Sequence, residues 1–214
     1  MKIIDIKNTV NIASEFKLPV ICDNTFASPY NQRPLELGAD MVVSSSTKYL
    51  GGHSDIVGGS IVIKENKEYA EKISFIQNAV GAVPSPFDCY LLTRSIKTLS
   101  VRMKQHNENA IAVSNYLSNH PKIEKVFFPG NDKRHKEIAE KQMDGFGGMM
   151  SFVIDSDING VKTFLKNLNL FNQEYPNVIN GFKCIIDSNP AVPLPVILAF
   201  AFLINFKLVR ILNP

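Results

Sequence analysis

The sequence predicts an α/β protein with a mostly parallel sheet. Short apolar runs bounded by turn residues recur along the first third of the chain, as buried strands do. Amphipathic helical stretches separate these runs, which is the alternation that builds layered α/β folds. The first run, Pro19-Val-Ile-Cys-Asp23, ends in an acid, which a parallel strand would place at its carboxyl end. A length of 214 residues suits one domain, or one domain and a smaller second one. With 45% hydrophobic and 20% charged residues, a sizeable core is possible and a disordered or fibrous chain is excluded.

Asn8–Lys17 reads as an amphipathic helix with Ile12, Ala13 and Phe16 on one face, ended by Pro19. After the strand to Asp23, Asn24–Pro34 is rich in turn residues. Met41–Val43 forms a second apolar run and leads into Ser44-Ser-Ser-Thr-Lys48. A glycine-rich stretch follows, Gly51 to Gly59, and Ser60–Ile63 is a third short strand. Glu65–Val80 is helical in pattern. Ser85, with Pro86 next and Asp88 three positions on, starts another helix, whose periodicity predicts one rod to Asn119. Leu92, Ile96, Leu99, Met103, Ala110, Val113 and Leu117 make one stripe along it, expected as core contact. Pro121 stops it. Strand Ile123–Phe128, helix Lys136–Met143, strand Gly148–Ile154 and helix Ile158–Leu168 predict a smaller α/β unit, and the patterning loosens beyond Leu170. No internal repeat appears.

Twenty-three basic against 20 acidic residues leave a net charge of +3, with no basic run, so neither nucleic acid nor an anionic membrane is an expected partner. Cys22, Cys89 and Cys184 are far apart and form no C-x-x-C, which points away from a metal centre and towards a reduced, cytosolic protein. The start, MKIIDIKNTVNIASEF, carries charge within its apolar stretch and does not read as a signal peptide. The apolar stretch Ala191–Ile204 is shorter than the roughly 20 residues of a membrane helix and is broken by Pro193 and Pro195, so a buried element is expected.

The chemistry concentrates between Asp23 and Gly59. A lysine beside hydroxyls and glycines suggests a phosphate, since glycine-rich turns aim backbone N–H groups at anions. A nucleotide P-loop fails here, because the hydroxyls precede Lys48 and the glycines follow it. His53-Ser54-Asp55 reads as turn residues, because a catalytic triad converges in space and is not contiguous in sequence. Lys48, hydroxyls one and three positions before it, and an acid ending an earlier strand form the set that pyridoxal phosphate requires: an amine for its aldehyde, donors for its phosphate, and a carboxylate for its ring nitrogen. The same residues also make an ordinary solvated loop.

Longer motifs bear on that choice. Asp23-Asn-Thr-Phe-Ala-Ser-Pro29, Pro34-Leu-Glu-Leu-Gly-Ala-Asp40 and Ser45-Ser-Thr-Lys-Tyr-Leu-Gly-Gly-His-Ser-Asp-Ile-Val-Gly-Gly59 resemble the Cys/Met-metabolism family of pyridoxal-phosphate enzymes. Gln77-Asn-Ala-Val-Gly-Ala-Val-Pro-Ser-Pro-Phe-Asp-Cys-Tyr90, Arg94–Met103 and Gln142-Met-Asp-Gly-Phe-Gly-Gly-Met-Met-Ser-Phe152 continue the resemblance, which covers residues 1 to about 170. It implies a fold-type I transferase-like architecture, with residues 1–100 as the second half of the cofactor domain and 101–214 as a small C-terminal domain. By position, Lys48 resembles the Schiff-base lysine, Asp23 the partner of the pyridinium, and Ser45 and Thr47 the phosphate-binding hydroxyls. Ser44 and Ser46 are expected to face elsewhere, since only alternate positions share a face.

The resemblance further implies a small amino-acid substrate, homotetrameric assembly and transsulfuration. Val83 to Tyr90 resembles cystathionine γ-lyases most, with γ-synthase or methionine γ-lyase chemistry as alternatives. Family chains are about twice as long, so this one is expected to begin within the large domain, without the ring-stacking tyrosine. After Leu170 the family's serine and glutamate pattern is replaced by Val178-Ile-Asn-Gly-Phe-Lys-Cys-Ile185, and Leu208-Val-Arg-Ile211 makes Arg210 the counterpart of the substrate-carboxylate arginine. A non-catalytic remnant, or an interaction fragment pairing with a full-length subunit, is the rival expectation.

Overall fold

The computed structural model describes residues 3–167, 183–186 and 197–200; Arg210 and most of the segment after Asn167 lie outside them. The chain divides into two compact units, Ile4–Met103 with Ile138–Gly145, and a second that gathers Lys104–Glu137 with Phe146 onward. The α/β class expected from the sequence is the one observed.

In the first unit, helix α1 (Ile6–Glu15) starts at Asp5, whose carboxylate accepts the Asn8 N–H at 3.0 Å. Strand β1 (Ile21–Asp23) pairs in parallel with β2 (Met41–Ser45). Asp40 sets that register: its Oδ2 accepts the Val20 N–H at 2.8 Å, while its own N–H donates to Val20 O at 3.0 Å. A single turn of helix, α2 (Ser28–Asn31), lies in the connection expected to be turns alone. Gly38 adopts φ +105°, where a side chain is disfavoured, and Val10 of α1 packs against its bare Cα.

Strand β3 (Gly59–Ile63) runs antiparallel to β2, so the sheet expected to be mostly parallel is instead mixed, in the order β1-β2-β3. The connection Ser46–Gly58 folds back on the end of β2, where Gly58 bonds Ser46 and Thr47, and so returns the chain antiparallel. Helix α3 (Lys67–Val80) is capped by Asn66 at its start and by left-handed Gly81 at its end, yet buries none of its residues. Helix α4 (Pro86–Ile96) begins as expected, with Ser85 Oγ accepting the Asp88 N–H at 3.1 Å.

Two expectations are corrected. The rod from Pro86 to Asn119 is broken at Lys97 and Thr98, and α5 (Leu99–Ser118) is a separate helix. Leu99, Met103 and Ala110 are buried as the stripe requires, but Ile96 is 44% exposed, because the break changes the helical phase. On α1, Ile12 and Phe16 are exposed and Ile6 is buried, since no described element covers the face that the periodicity marks.

Beyond α5, β4 (Ile123–Phe127) pairs antiparallel with β5 (Ser151–Ile154), in the predicted order with α6 (Lys133–Gln142), whose residues from Ile138 belong to the first unit, and α7 (Ile158–Lys166). Phe152, Ile154 and Val161 pack with Phe164 and Leu117, and Ala110, Phe128 and Met150 pack with Phe146. Two edge-to-face aromatic pairs, Phe128–Phe146 and Phe152–Phe164, give these clusters their geometry. Strands β6 (Lys183–Ile186) and β7 (Ile197–Phe200) form an antiparallel pair. Among the described residues no helix is long and apolar enough to cross a membrane.

Candidate active site

Parallel pairing brings the carboxyl ends of β1 and β2 side by side, the position where open α/β sheets take their ligands. Asp23 is the last residue of β1 and is in register with Val43; by strand alternation Asp23, Val43 and Ser45 lie on one face of the sheet. The chain after Asp23 stays tied to β2. Asn24 N–H donates to Val43 O at 2.9 Å, and Thr25 Oγ1 accepts the Ser45 N–H at 2.9 Å. Thr25 N–H in turn donates to Asp23 Oδ1 at 3.0 Å, which orients the carboxylate and leaves Oδ2 without a hydrogen bond among the described residues.

Behind Asp23 a chain of amides, buried at Asn24 and Gln32 and half-buried at Gln142, fixes the strand end. Asn24 Nδ2 donates to Gln32 O at 2.8 Å, and Gln32 Nε2 returns a bond to Asn24 Oδ1 at 2.9 Å. Gln142 Nε2 donates to Gln32 Oε1 at 3.0 Å and to Ile4 O at 2.9 Å, while its Oε1 accepts the Ile6 N–H at 3.2 Å. Side chains that are paired at both ends in this way hold a loop stiff, because releasing either end strands a buried polar group.

Beyond β2 the chain enters a wide helical turn, Ser46–Leu50. Gly51 N–H donates to Ser46 O at 2.8 Å and Gly52 N–H to Lys48 O at 2.7 Å, but at Lys48 itself the backbone leaves helical geometry (φ −89°, ψ −125°). Lys48 is half-buried and sits one turn past the end of β2. The loop from Gly51 to Gly58 closes on this turn. Gly58 O accepts the Ser46 N–H at 2.9 Å, and Gly58 N–H donates to Thr47 Oγ1 at 2.9 Å. A Cβ on Gly58 would stand 2.9 Å from Ser46 Oγ, so the close approach requires glycine. His53, Ser54 and Asp55 form part of this loop, and His53 Nδ1 lies 2.7 Å from Gly51 O and 3.3 Å from Ser95 Oγ of α4.

Asp23, Ser45, Thr47 and Lys48 therefore come from the adjacent ends of β1 and β2 and the turn that follows β2. Their chemistry fits pyridoxal phosphate. Asp23 offers an open carboxylate oxygen, the half-buried Ser45 hydroxyl makes no hydrogen bond among the described residues, and Lys48 supplies an amine. Thr47 Oγ1 donates to Gly58 O at only 3.4 Å, a contact weak enough to exchange for a phosphate oxygen. Ser46 is buried beneath the loop, and Ser44 lies on the opposite face from Ser45. Beside Asp23, burial pushes the Cys22 thiol pKa up, and the neighbouring carboxylate adds to the rise. Thr25, Asn24 and Gly58 escaped the sequence reading. All three lie inside the quoted motifs, yet their contacts reach 8 to 20 positions along the chain, which spacing alone does not disclose.

A family model described as Cys/Met metabolism PLP-dependent enzyme matches residues 1–190. The chain is 43% identical over 90% of its length to a cystathionine beta-lyase of Coxiella burnetii, covering 49% of that protein. It is 47% identical over 80% of its length to a cystathionine gamma-lyase of Dictyostelium discoideum, covering 44% of it. Among solved structures, a cystathionine gamma synthase of Xanthomonas oryzae pv. oryzae in complex with aminoacrylate and cysteine superposes with a TM-score of 0.76 at 37% identity, over 79% of this chain and 44% of that one. The chain spans about half the length of the curated relatives it matches.

Proposed function

The chain belongs to the Cys/Met metabolism PLP-dependent enzyme family, and on that premise we propose that it carries the cofactor-bonding unit of a transsulfuration enzyme whose reaction is γ-elimination of cystathionine to cysteine. The observation that carries the reading is that Asp23 ends β1 and Lys48 follows the end of the adjacent parallel strand β2. The likeness to the Xanthomonas synthase supports γ-replacement as a second reading. Residues 1–100 serve as part of the cofactor domain in this proposal, and the family resemblance implies homotetrameric assembly of the whole enzyme.

Pyridoxal phosphate, when bound, supplies an electron sink that stabilises negative charge at the substrate's α-carbon. The chain supplies the rest. Lys48 Nζ would hold the cofactor through its aldehyde carbon, and its amine would serve as the base for the proton at the substrate's α-carbon. Asp23 Oδ2 holds a proton on the ring nitrogen through a charge-assisted hydrogen bond. Ser45 Oγ and Thr47 Oγ1 donate to the phosphate. Arg210, outside the described residues, is proposed to pair with the substrate carboxylate.

The test is to add pyridoxal 5'-phosphate to the purified chain, reduce with borohydride and map the labelled peptide. Label on Lys48 is expected, and label on another lysine of a folded sample overturns the assignment. Cystathionine turnover by this chain alone is expected to stay far below the roughly 1 per second of ordinary enzymes, because catalysis depends on positioning and about 1 Å of misplacement costs about 100-fold.

A further inference from the structure

Arg102, in the first turn of α5, directs its guanidinium at the turn that bears Lys48. Its Nη1 donates to Tyr49 O at 2.7 Å, and its Nη2 donates to Ser95 O at 3.0 Å and reaches Leu50 O at 3.5 Å. Its Nε donates to Thr98 Oγ1 at 3.1 Å. The group is half-buried, and its hydrogen-bond partners among the described residues are three carbonyls and a hydroxyl, with no carboxylate. Withdrawing a cation from water without a counter-charge is unfavourable, so a flexible surface arginine would not settle here without several fixed acceptors. Gly52 makes the space: it adopts φ +73°, and a Cβ there would overlap the guanidinium.

We propose that Arg102 is a positioning residue that grips the two carbonyls immediately following Lys48, and so holds the turn in the shape that presents the Lys48 amine to the face shared by Asp23 and Ser45. The inference rests on the reading of Lys48 as the cofactor lysine. A planar fork suits the task, since it bonds carbonyls from two segments at fixed angles where an ammonium is a single point donor. The same fork reaches Ser95 O, at the break between α4 and α5, so the broken helix and the lysine turn share one clamp.

The experiment compares the parent chain with R102Q, R102K and G52A. The first readout needs no cofactor: amide hydrogen exchange at Gly51 and Gly52, whose N–H groups close the turn on Ser46 O and Lys48 O. R102Q and G52A are expected to exchange at least about tenfold faster there, the equivalent of about 1.4 kcal/mol, with the amides of the β2–β3 ladder unchanged. R102K is expected to recover part of the protection. The second readout is the yield of borohydride-trapped pyridoxal 5'-phosphate on Lys48 at limiting cofactor, expected to fall at least about tenfold in R102Q. Unchanged exchange at Gly51 and Gly52 overturns the proposal. So does a rise that extends equally through the β2–β3 ladder, which makes Arg102 a general stabiliser, or equal trapping in parent and R102Q. A parent chain that traps no cofactor on Lys48, with the local exchange pattern intact, sinks the lysine reading and leaves the clamp on the turn standing.

Discussion

Thr47 Oγ1 accepts a hydrogen bond from the Gly58 amide at 2.9 Å, tying the residue before Lys48 to one eleven positions further on. A hydroxyl in that place has two tasks: it closes the loop now, and its proton is available to an anion.

T47V removes the hydrogen bonds and keeps the shape. A loss of about 1 kcal/mol is expected from urea unfolding, the usual size for a partly exposed hydrogen bond. Binding of pyridoxal 5'-phosphate, followed by fluorescence quenching, is expected to weaken about tenfold or more, and T47S to restore both. Weakened stability with unchanged binding would assign Thr47 to the loop alone.

D23N tests the ring-nitrogen partner. Losing a charge-assisted bond of about 1.5–3 kcal/mol raises the Kd for pyridoxal 5'-phosphate about 10-fold to 100-fold. With an analogue whose ring nitrogen is replaced by carbon, parent and D23N are expected to bind alike. A D23N defect of equal size with both ligands contradicts the assignment.

Cys22 gives a pH signature. Burial, and to a smaller degree the charge of Asp23, raise its thiol pKa in the folded chain. Above the ordinary thiol pKa of about 8.5 the unfolded chain releases this proton while the folded chain keeps it. Stability is therefore full below that pH and falls as pH rises towards the folded value. Urea midpoints are expected to decline more steeply above about pH 9 in the parent than in C22A, and iodoacetamide is expected to modify exposed Cys89 before Cys22. Equal slopes in the two proteins would falsify this account.

Q142L probes the amide chain behind Asp23. The substitution leaves the Ile6 N–H and Gln32 Oε1 without their partner. The expected loss is about 1–3 kcal/mol, the cost of stranding buried polar groups. It should appear in the first unit, as faster exchange at the Ile6 and Asn24 amides, although Gln142 is 110 residues from Gln32.

What the sequence disclosed was local. The run leading into Lys48 is a strand that buries Met41 and Val42. The run ending at Asp23, expected to be buried, leaves Ile21 exposed and is a strand through its parallel pairing with β2. Ser85 starts α4 because its hydroxyl and the following proline act within one turn. The break at Lys97 and Thr98 was hidden, since both residues fit a helix. It is held by Thr98 Oγ1 and Arg102 on Ser95 O, and the Ser95 hydroxyl also reaches a loop 42 positions away. The site divided in the same manner: the four chemical groups were legible from two short motifs, Asp23–Pro29 and Ser45–Gly59, while Thr25, Gly58 and Arg102, which set their geometry, act across the fold. Ile12 and Phe16 of α1 mark the limit of periodicity as a guide, for it identifies an apolar face and says nothing of what covers it.

The assignment of Ile138–Gly145 to the first unit has a consequence for biosynthesis. A ribosome delivers residues 4–103 first, but the glutamine that completes their amide chain emerges only after the whole intervening stretch of the second unit has been translated. At about 5–20 residues per second, that is a wait of about 2–8 s. Throughout it, the nascent first unit lacks the partner for Gln32 and Ile6, and helix α3 stands with no residue buried. The apolar side chains of α3, Phe75, Ile76 and Val80, stay exposed even once that glutamine is in place, so they offer a nascent-chain chaperone a surface that outlasts the wait.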